Sequence, residues 1–272
     1  MTAALFRLDG IGFAYPTHGP VLADLDFALE PGERVALVGG NGVGKTTLLR
    51  IMVGLARPAA GTVFAFGAER SREADYREVR RRAGFLFQDP DDQLFCPTVL
   101  EDVCFGPLNL GLSPREARDI AERTLDALGL SAFAPRVTHR LSGGEKRLVS
   151  LAAVLAMEPE VLLLDEPTNA LDDEATERLL GHLKRLPQAM VLATHDRAAI
   201  AALATRAVLL KDRRLMPAAI HAHPHTHVHV HPHVHPLTAD EPDPMGHGSH
   251  DHGSHEHDVV HAHAHSAART QS

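Results

Sequence analysis

The stretch RVALVGGNGVGKTT, residues 34 to 47, restricts the fold of this chain more than any other. An apolar run, RVALVG at 34–39, enters a glycine-rich loop and continues into a helix-forming segment from about Lys45. GGNGVGKTT at 39–47 fits G-x-x-x-x-G-K-[ST], with Gly39, Gly44, Lys45 and Thr46 in the fixed positions. Glycines let successive backbone N–H groups curl around phosphate oxygens, and the following helix adds the partial positive charge of its N-terminus. Lys45 is expected to reach the β- and γ-phosphates of a nucleotide, and Thr46 to hold Mg²⁺. Gly40, Asn41, Gly42 and Val43 form the body of the loop, and Thr47 follows in the first helical turn.

Two more apolar runs, VLLLDE at 161–166 and MVLATH at 190–195, have the character of buried parallel strands. Between them and the first strand lies mainly helical sequence. SPREARDIAERTLDALGL at 113–130 has Ser113 as N-cap, Pro114 at the first helical position and Gly129 near the end. Strands separated by helices predict an α/β fold with a mainly parallel sheet. The opening, LFRLDGIGFAYP followed by VLADLDFALEPGE, predicts an antiparallel pair in a small side sheet. Asp165 ends a buried strand, so its carboxylate is delivered to the sheet edge where ligands bind, placed to hold Mg²⁺. Glu166 follows and is placed to orient or deprotonate an attacking water.

Composition divides the chain near Met216. Of the 20 histidines, 16 lie in residues 217 to 272, with six acidic residues and one basic residue, Arg269. That segment has too little apolar surface to offset the entropy of ordering, so it is expected to be a disordered tail behind a folded domain at 1–216. A helical subdomain is expected at about 89–150. With aromatics at 4% and no Trp, the core must rest on Leu, Val, Ala and Ile. Two cysteines, Cys96 and Cys104, make no disulfide framework and are expected to be small buried hydrophobes. MTAALFRLDG lacks a basic region followed by an apolar run, so no signal peptide is expected. No apolar run is long enough to span a bilayer, so a membrane role must come through partners. A formal charge of −8 argues against a nucleic-acid partner.

The ordered set formed by the loop at 39–47, Gln88 in FLFQDP, LSGGE at 141–145, VLLLDEP at 161–167, NALD at 169–172 and His195 in ATHD resembles the ATP-binding-cassette ATPases. The resemblance covers about residues 4 to 216. Ser142, Gly143 and Gly144 at a helix start make a second phosphate-binding terminus. The resemblance implies a head-to-tail homodimer, with ATP held between the loop of one subunit and the LSGGE of the other, Glu145 included. It implies that Tyr15 stacks on adenine, although a side-sheet core role also suits that ring. It further implies that Gln88 senses the γ-phosphate and Mg²⁺, that His195 contacts the γ-phosphate and that Asp172 communicates across the dimer. Glu145 and Leu148 depart from the Gln and Arg that many relatives carry.

QDPDDQLFCPTVLEDVCFGPLNLGLS resembles the ATPase subunits of energy-coupling-factor importers, especially their cobalt and nickel branch. That resemblance implies integral membrane coupling and substrate-binding subunits, a place on the cytoplasmic face of the membrane, and a groove for a coupling helix. Asp89, Asp91 and Asp92 beside Leu94, Phe95, Val99 and Val103 suit a groove for a basic amphipathic helix. In the tail, His221, His223, His225, His227, His229, His231, His233 and His235 alternate along a Pro-punctuated segment. Extended chain places i and i+2 on one face, roughly 6–7 Å apart. Neutral imidazoles suit nickel, copper, zinc and, more weakly, cobalt, which predicts a multi-site metal buffer. A solubilising low-complexity tail is the alternative. Together these features predict the ATPase of a transition-metal importer, nickel preferred and cobalt next. A zinc or vitamin-type importer and a soluble non-transport cassette protein are the rivals.

Overall fold

The structure, a computed structural model, describes residues 4–17 and 19–220. Along the chain the elements are β1 (Phe6–Tyr15), β2 (Gly19–Leu29), β3 (Arg34–Val38), α1 (Lys45–Met52), β4 (Ala60–Ala65), β5 (Ala68–Glu69), α2 (Glu73–Arg82), β6 (Ala83–Leu86), α3 (Val99–Asn109), α4 (Pro114–Ala127), α5 (Gly143–Leu155), β7 (Val161–Asp165), α6 (Asp173–Arg185), β8 (Ala189–Ala193), α7 (Arg197–Leu203), β9 (Arg206–Lys211) and β10 (Arg214–Ala218). Among the described residues they form two sheets. One has the order β2-β1-β4-β5 and the other β10-β9-β3-β8-β7-β6. The first is antiparallel, as the alternation of its opening strands predicts. The second is parallel except for β10 at its edge.

The apolar run VLLLD is buried at every position of β7 because both faces of the main sheet are covered. Val161 and Leu163 point into a core shared with β1, β2 and α1, where Phe6, Leu8, Leu29, Leu48 and Ile51 pack. Leu162 and Leu164 point the other way, against Leu148 and Leu151 of α5, Leu179 and Leu183 of α6 and Leu203 of α7. Each such side chain contributes about 1.5–3 kcal/mol on burial. The strand is therefore held from both sides, and its last residue, Asp165, stands at a fixed edge.

The helical insertion between β6 and β7 contains α3, α4 and α5, and α5 runs on to Leu155. Each of these three helices begins with a capping box: Thr98 with Glu101, Ser113 with Glu116 and Ser142 with Glu145. α4 starts at Pro114 with Ser113 as its N-cap, as expected. β10 ends at Ala218, just past the composition break at Met216. The tail expectations, including those for His221 to His235, fall outside the described residues.

Candidate nucleotide site

β3 ends at Val38 and the chain turns through Gly39. A Cβ on Gly39 would lie 2.6 Å from the Leu210 carbonyl oxygen and 2.9 Å from Cγ2 of Val43, so no larger residue fits between the loop and β9. Gly44 has φ 113°, a conformation that favours glycine, and its Cβ would meet Val21 at 2.7 Å. Gly44 is also the N-cap of α1. That helix has no side-chain cap and no acidic residue in its first turn. Its leading N–H groups are left for an anion, which fits a polyphosphate. Lys45 is buried, and its Nζ donates to the carbonyls of Gly39 at 3.0 Å and Gly40 at 3.2 Å, closing the loop on itself. A cavity of about 560 Å³ opens here, lined by Tyr15, Asn41, Lys45, Thr46, Gln88 and Glu166 among others. The Tyr15 hydroxyl and Thr47 Oγ1 are hydrogen-bonded at 3.0 Å, and the Tyr15 ring packs edge-on against Phe13.

Asp165 accepts a 3.0 Å hydrogen bond from the Thr46 hydroxyl, and burial pushes its carboxyl above the usual carboxylate range. Two hard oxygen donors in contact at the cavity wall fit Mg²⁺. Glu166 is buried in a left-handed backbone conformation, φ 43°. Its N–H donates to Ala193 at 2.8 Å, so the turn after β7 is pinned to the end of β8. Glu166 lines this first cavity, whereas Asp165 lines the cavity beside it. Glu166 Oε1 is 3.3 Å from Lys45 Nζ, and Oε2 is 3.0 Å from Nδ1 of His195. The arrangement can hold a water between a base and a phosphate that Lys45 neutralises.

A second cavity, about 450 Å³, adjoins this pair and is lined by Thr46, Gln88, Asp165, Gly143, Arg147 and Asn169 among others. Gln88 thus borders both spaces. Ser142 is exposed at the start of α5 and accepts from the Glu145 N–H at 3.3 Å. Glu145 in turn is held by Arg136 at 2.8 Å and by the Ser142 N–H, which together keep its carboxyl below the usual range. Gly144 lies against α6, where a Cβ would meet that of Ala175 at 2.8 Å. Asp172 caps α6 by accepting from the Ala175 N–H at 2.8 Å.

The ABC transporter family profile matches residues 22–169. An ABC transporter ATP-binding protein of Brucella suis biovar 1 is 57% identical over 201 residues, 74% of this chain and 84% of that protein. The chain belongs to the ABC transporter ATP-binding family. The cobalt import ATP-binding protein CbiO of Rhodobacter capsulatus is 48% identical over 216 residues, 78% of this chain and 77% of that protein. The nickel import ATP-binding protein NikO of the same organism is 45% identical over 222 residues, 78% of this chain and 87% of that protein. Among solved structures, cbiO1 of Clostridium perfringens, part of the complex cbiONQ, superposes with TM-score 0.71 at 32% identity, covering 78% of this chain and 87% of that one. The dimeric, ADP- and phosphate-bound cassette MJ0796 gives TM-score 0.71 at 28% identity, over 78% and 98%.

In this ABC ATPase the expected groove differs from the sequence reading. Val99, Val103 and Leu94 are buried in the core against α4 and α5 instead of lining a surface. Periodicity identifies an apolar face on α3 but not the direction in which it points. Of the residues expected there, Phe95 and Asp92 do line a groove, of about 800 Å³ beside α3, together with Phe105 and Leu55 and with Arg77, Arg80 and Arg81 of α2. Its rim therefore carries both signs of charge. Asp91 is paired with Lys146 at 2.6 Å, and Asp89 caps the short 3-10 turn that follows it. Cys96 and Cys104 are only partly buried. Burial pushes the Cys96 thiol up to about 11, and raises that of Cys104 as well. Among the described residues, no group of three or more His, Cys, Asp or Glu side chains is placed to hold a metal ion.

Three residues with visible structural roles escape the sequence reading. Asp102, buried, accepts from the N–H groups of Phe95 and Cys96 and from the Thr138 hydroxyl. Asp196 caps α7 and accepts from Thr168 at 2.8 Å, tying the loop after β7 to the loop after β8. Arg147, buried in α5, donates to the carbonyls of Phe87 and Gln88. The ties of Asp102 to Thr138, of Asp196 to Thr168 and of Arg147 to Phe87 and Gln88 join residues far apart in sequence, so no local pattern announces them.

Proposed function

We propose that this ABC ATPase powers import of a divalent transition-metal ion through a separate membrane complex, with nickel preferred and cobalt next. The placement of the Glu166 carboxylate between Lys45 and His195 carries the catalytic half of this reading. The names of the cobalt and nickel import relatives support the cargo half. In the proposed mechanism the backbone of residues 39–47 and the N-terminus of α1 take the phosphates. Lys45 exchanges the loop carbonyls for phosphate oxygens. Thr46 and Asp165 hold Mg²⁺, with Gln88 beside them, and the ion when bound neutralises charge on the phosphate oxygens. Glu166 accepts the proton of the attacking water, and His195 holds its second oxygen and reaches toward the γ-phosphate. Tyr15 stacks on adenine. Ser142, Gly143, Gly144 and Glu145 present the start of α5 to the nucleotide of a second copy, and Asp172 stands at the same seam.

The membrane partner seats a coupling helix in the groove of Phe95 and Phe105, which places the chain on the cytoplasmic side of the bilayer. Among the described residues, no helix is long and apolar enough to cross a membrane. In this reading the tail histidines, His221 through His235, gather Ni²⁺ or Co²⁺ near the complex. Metal accumulation in cells tests the proposal, with nickel, cobalt and zinc supplied together at trace levels to wild type and Glu166→Gln. Loss of nickel or cobalt alone in the variant supports it. Loss of zinc alone favours a zinc importer. Unchanged levels of all three overturn a metal cargo and leave a vitamin-type importer as the reading.

A further inference from the structure

Arg147 is the fifth residue of α5, and only 2% of it is exposed. Its two terminal nitrogens donate to the carbonyls of Phe87 and Gln88, while its Nε is buried without a partner. Among the described residues no carboxylate forms an ion pair with it, and Asp89 and Asp165 act on it only from a distance. Burial correspondingly disfavours its charged form. A buried guanidinium compensated chiefly by two backbone carbonyls is costly, and an apolar side chain of similar volume would fill the same space more cheaply. The residue therefore calls for a role besides packing.

Its position supplies one. Gln88 borders both the nucleotide cavity and the adjoining cavity that Gly143 and Arg147 line. α5 begins at Gly143, on the surface that the proposed dimer presents to the second nucleotide. Two further ties run from α5 to the same segment: Lys146 to Asp91 at 2.6 Å, and Gln93 Nε2 to the Ser150 carbonyl at 3.4 Å, with Gln93 Oε1 accepting from the Phe87 N–H. Arg147 is the tie that grips the backbone of Gln88 itself. A movement of α5 must move the main chain that carries Gln88, or break two charge-assisted hydrogen bonds in a dry environment.

We propose that Arg147 is a positioning residue that makes the placement of Gln88 in one site depend on nucleotide engaged by α5 at the other, so that the two sites of the dimer act cooperatively. This inference rests on the head-to-tail dimer of the proposed function. Steady-state ATPase of the full-length protein, as a function of ATP and separately of Mg²⁺, tests it in wild type, Arg147→Met and Arg147→Lys. Methionine removes the charge at similar volume, and lysine keeps the charge but cannot grip both carbonyls. In wild type the Hill coefficient for ATP is expected near two, the number of sites, and in both variants near one. The Mg²⁺ needed for half-maximal rate should rise on the order of fivefold in both, the low end of ordinary coupling. A packing role alone would lower stability without moving either quantity. If Met unfolds the protein, Lys still decides. Variants that keep the wild-type Hill coefficient and Mg²⁺ dependence overturn the inference. A wild-type coefficient near one, with ATP-dependent dimerisation of Glu166→Gln seen by light scattering, overturns it and leaves the dimer standing. Absence of that dimer overturns the dimer reading, and the inference with it.

Discussion

Nδ1 of His195 stands 3.0 Å from Oε2 of Glu166, joining the loops that leave two neighbouring strands. The other oxygen of Glu166 faces Lys45 at 3.3 Å. A nucleotide that draws Lys45 onto its phosphates frees that oxygen while His195 still fixes the carboxylate. Glu166→Gln keeps the shape and removes the proposed base. Its kcat should fall by roughly 10²–10⁴, the usual worth of a general base, while ATP binding is retained. Phosphate release and equilibrium nucleotide binding measure the two. Loss of both together would mean that Glu166 shapes the pocket and is not the base.

Gly39→Ala should damage the fold as well as the site. The new Cβ would lie 2.6 Å from the Leu210 carbonyl, and a neighbouring strand cannot yield as a side chain can. A cost of about 1–3 kcal/mol is expected, as for overpacking elsewhere. Thermal melts with and without ATP should show a lower midpoint and a smaller ATP-induced rise.

Asp102→Ala strips three hydrogen bonds from one buried carboxylate and leaves the N–H groups of Phe95 and Cys96 without acceptors. The expected loss is roughly 2–4 kcal/mol, because unmade bonds to buried groups cost more than made ones contribute. Asp102→Asn retains an acceptor and should lose clearly less. Chemical denaturation of the two variants decides, and equal losses would argue that the charge and not the hydrogen bonds matters.

The thiols should be slow to react. With the Cys96 thiol raised to about 11 from 9.0, its thiolate at neutral pH falls on the order of 100-fold. Alkylation of the native protein at pH 8 should lag well behind that of the unfolded chain, and should accelerate as pH climbs toward 11. Equal rates in the two states would show that both thiols are open to solvent.

Much of this architecture is legible in the sequence. The loop at 39–47 announces itself by fixed spacing, because phosphate contact depends on local backbone. VLLLD reads as a buried parallel strand, and Ser113 followed by Pro114 marks the start of α4, because each signal lies within a few residues. The groove is misread for the opposite reason. Val99 and Val103 share a face of α3 at helical spacing, yet only the packing of α4 and α5 decides that this face is core while Phe95 and Phe105 are left outside. Arg147 next to Leu148 looks like an ordinary surface cation until α5 is laid against the loop after β6 that carries Gln88. Neighbours across space, unlike neighbours along the chain, leave no pattern in one sequence.

The order β3-β8-β7-β6 gives the main sheet the function of a ruler. The C-terminal end of each of these four strands leads to residues of the candidate site: Lys45 and Thr46 after β3, His195 after β8, Asp165 and Glu166 at the end of β7, and Gln88 after β6. Neighbouring strands are spaced about 4.8 Å apart, so the row is metered in three steps over roughly 14 Å. Main-chain hydrogen bonds set that pitch, and no side-chain replacement alters it. Substitution can change which tool stands at each mark while leaving the distance between marks as it was.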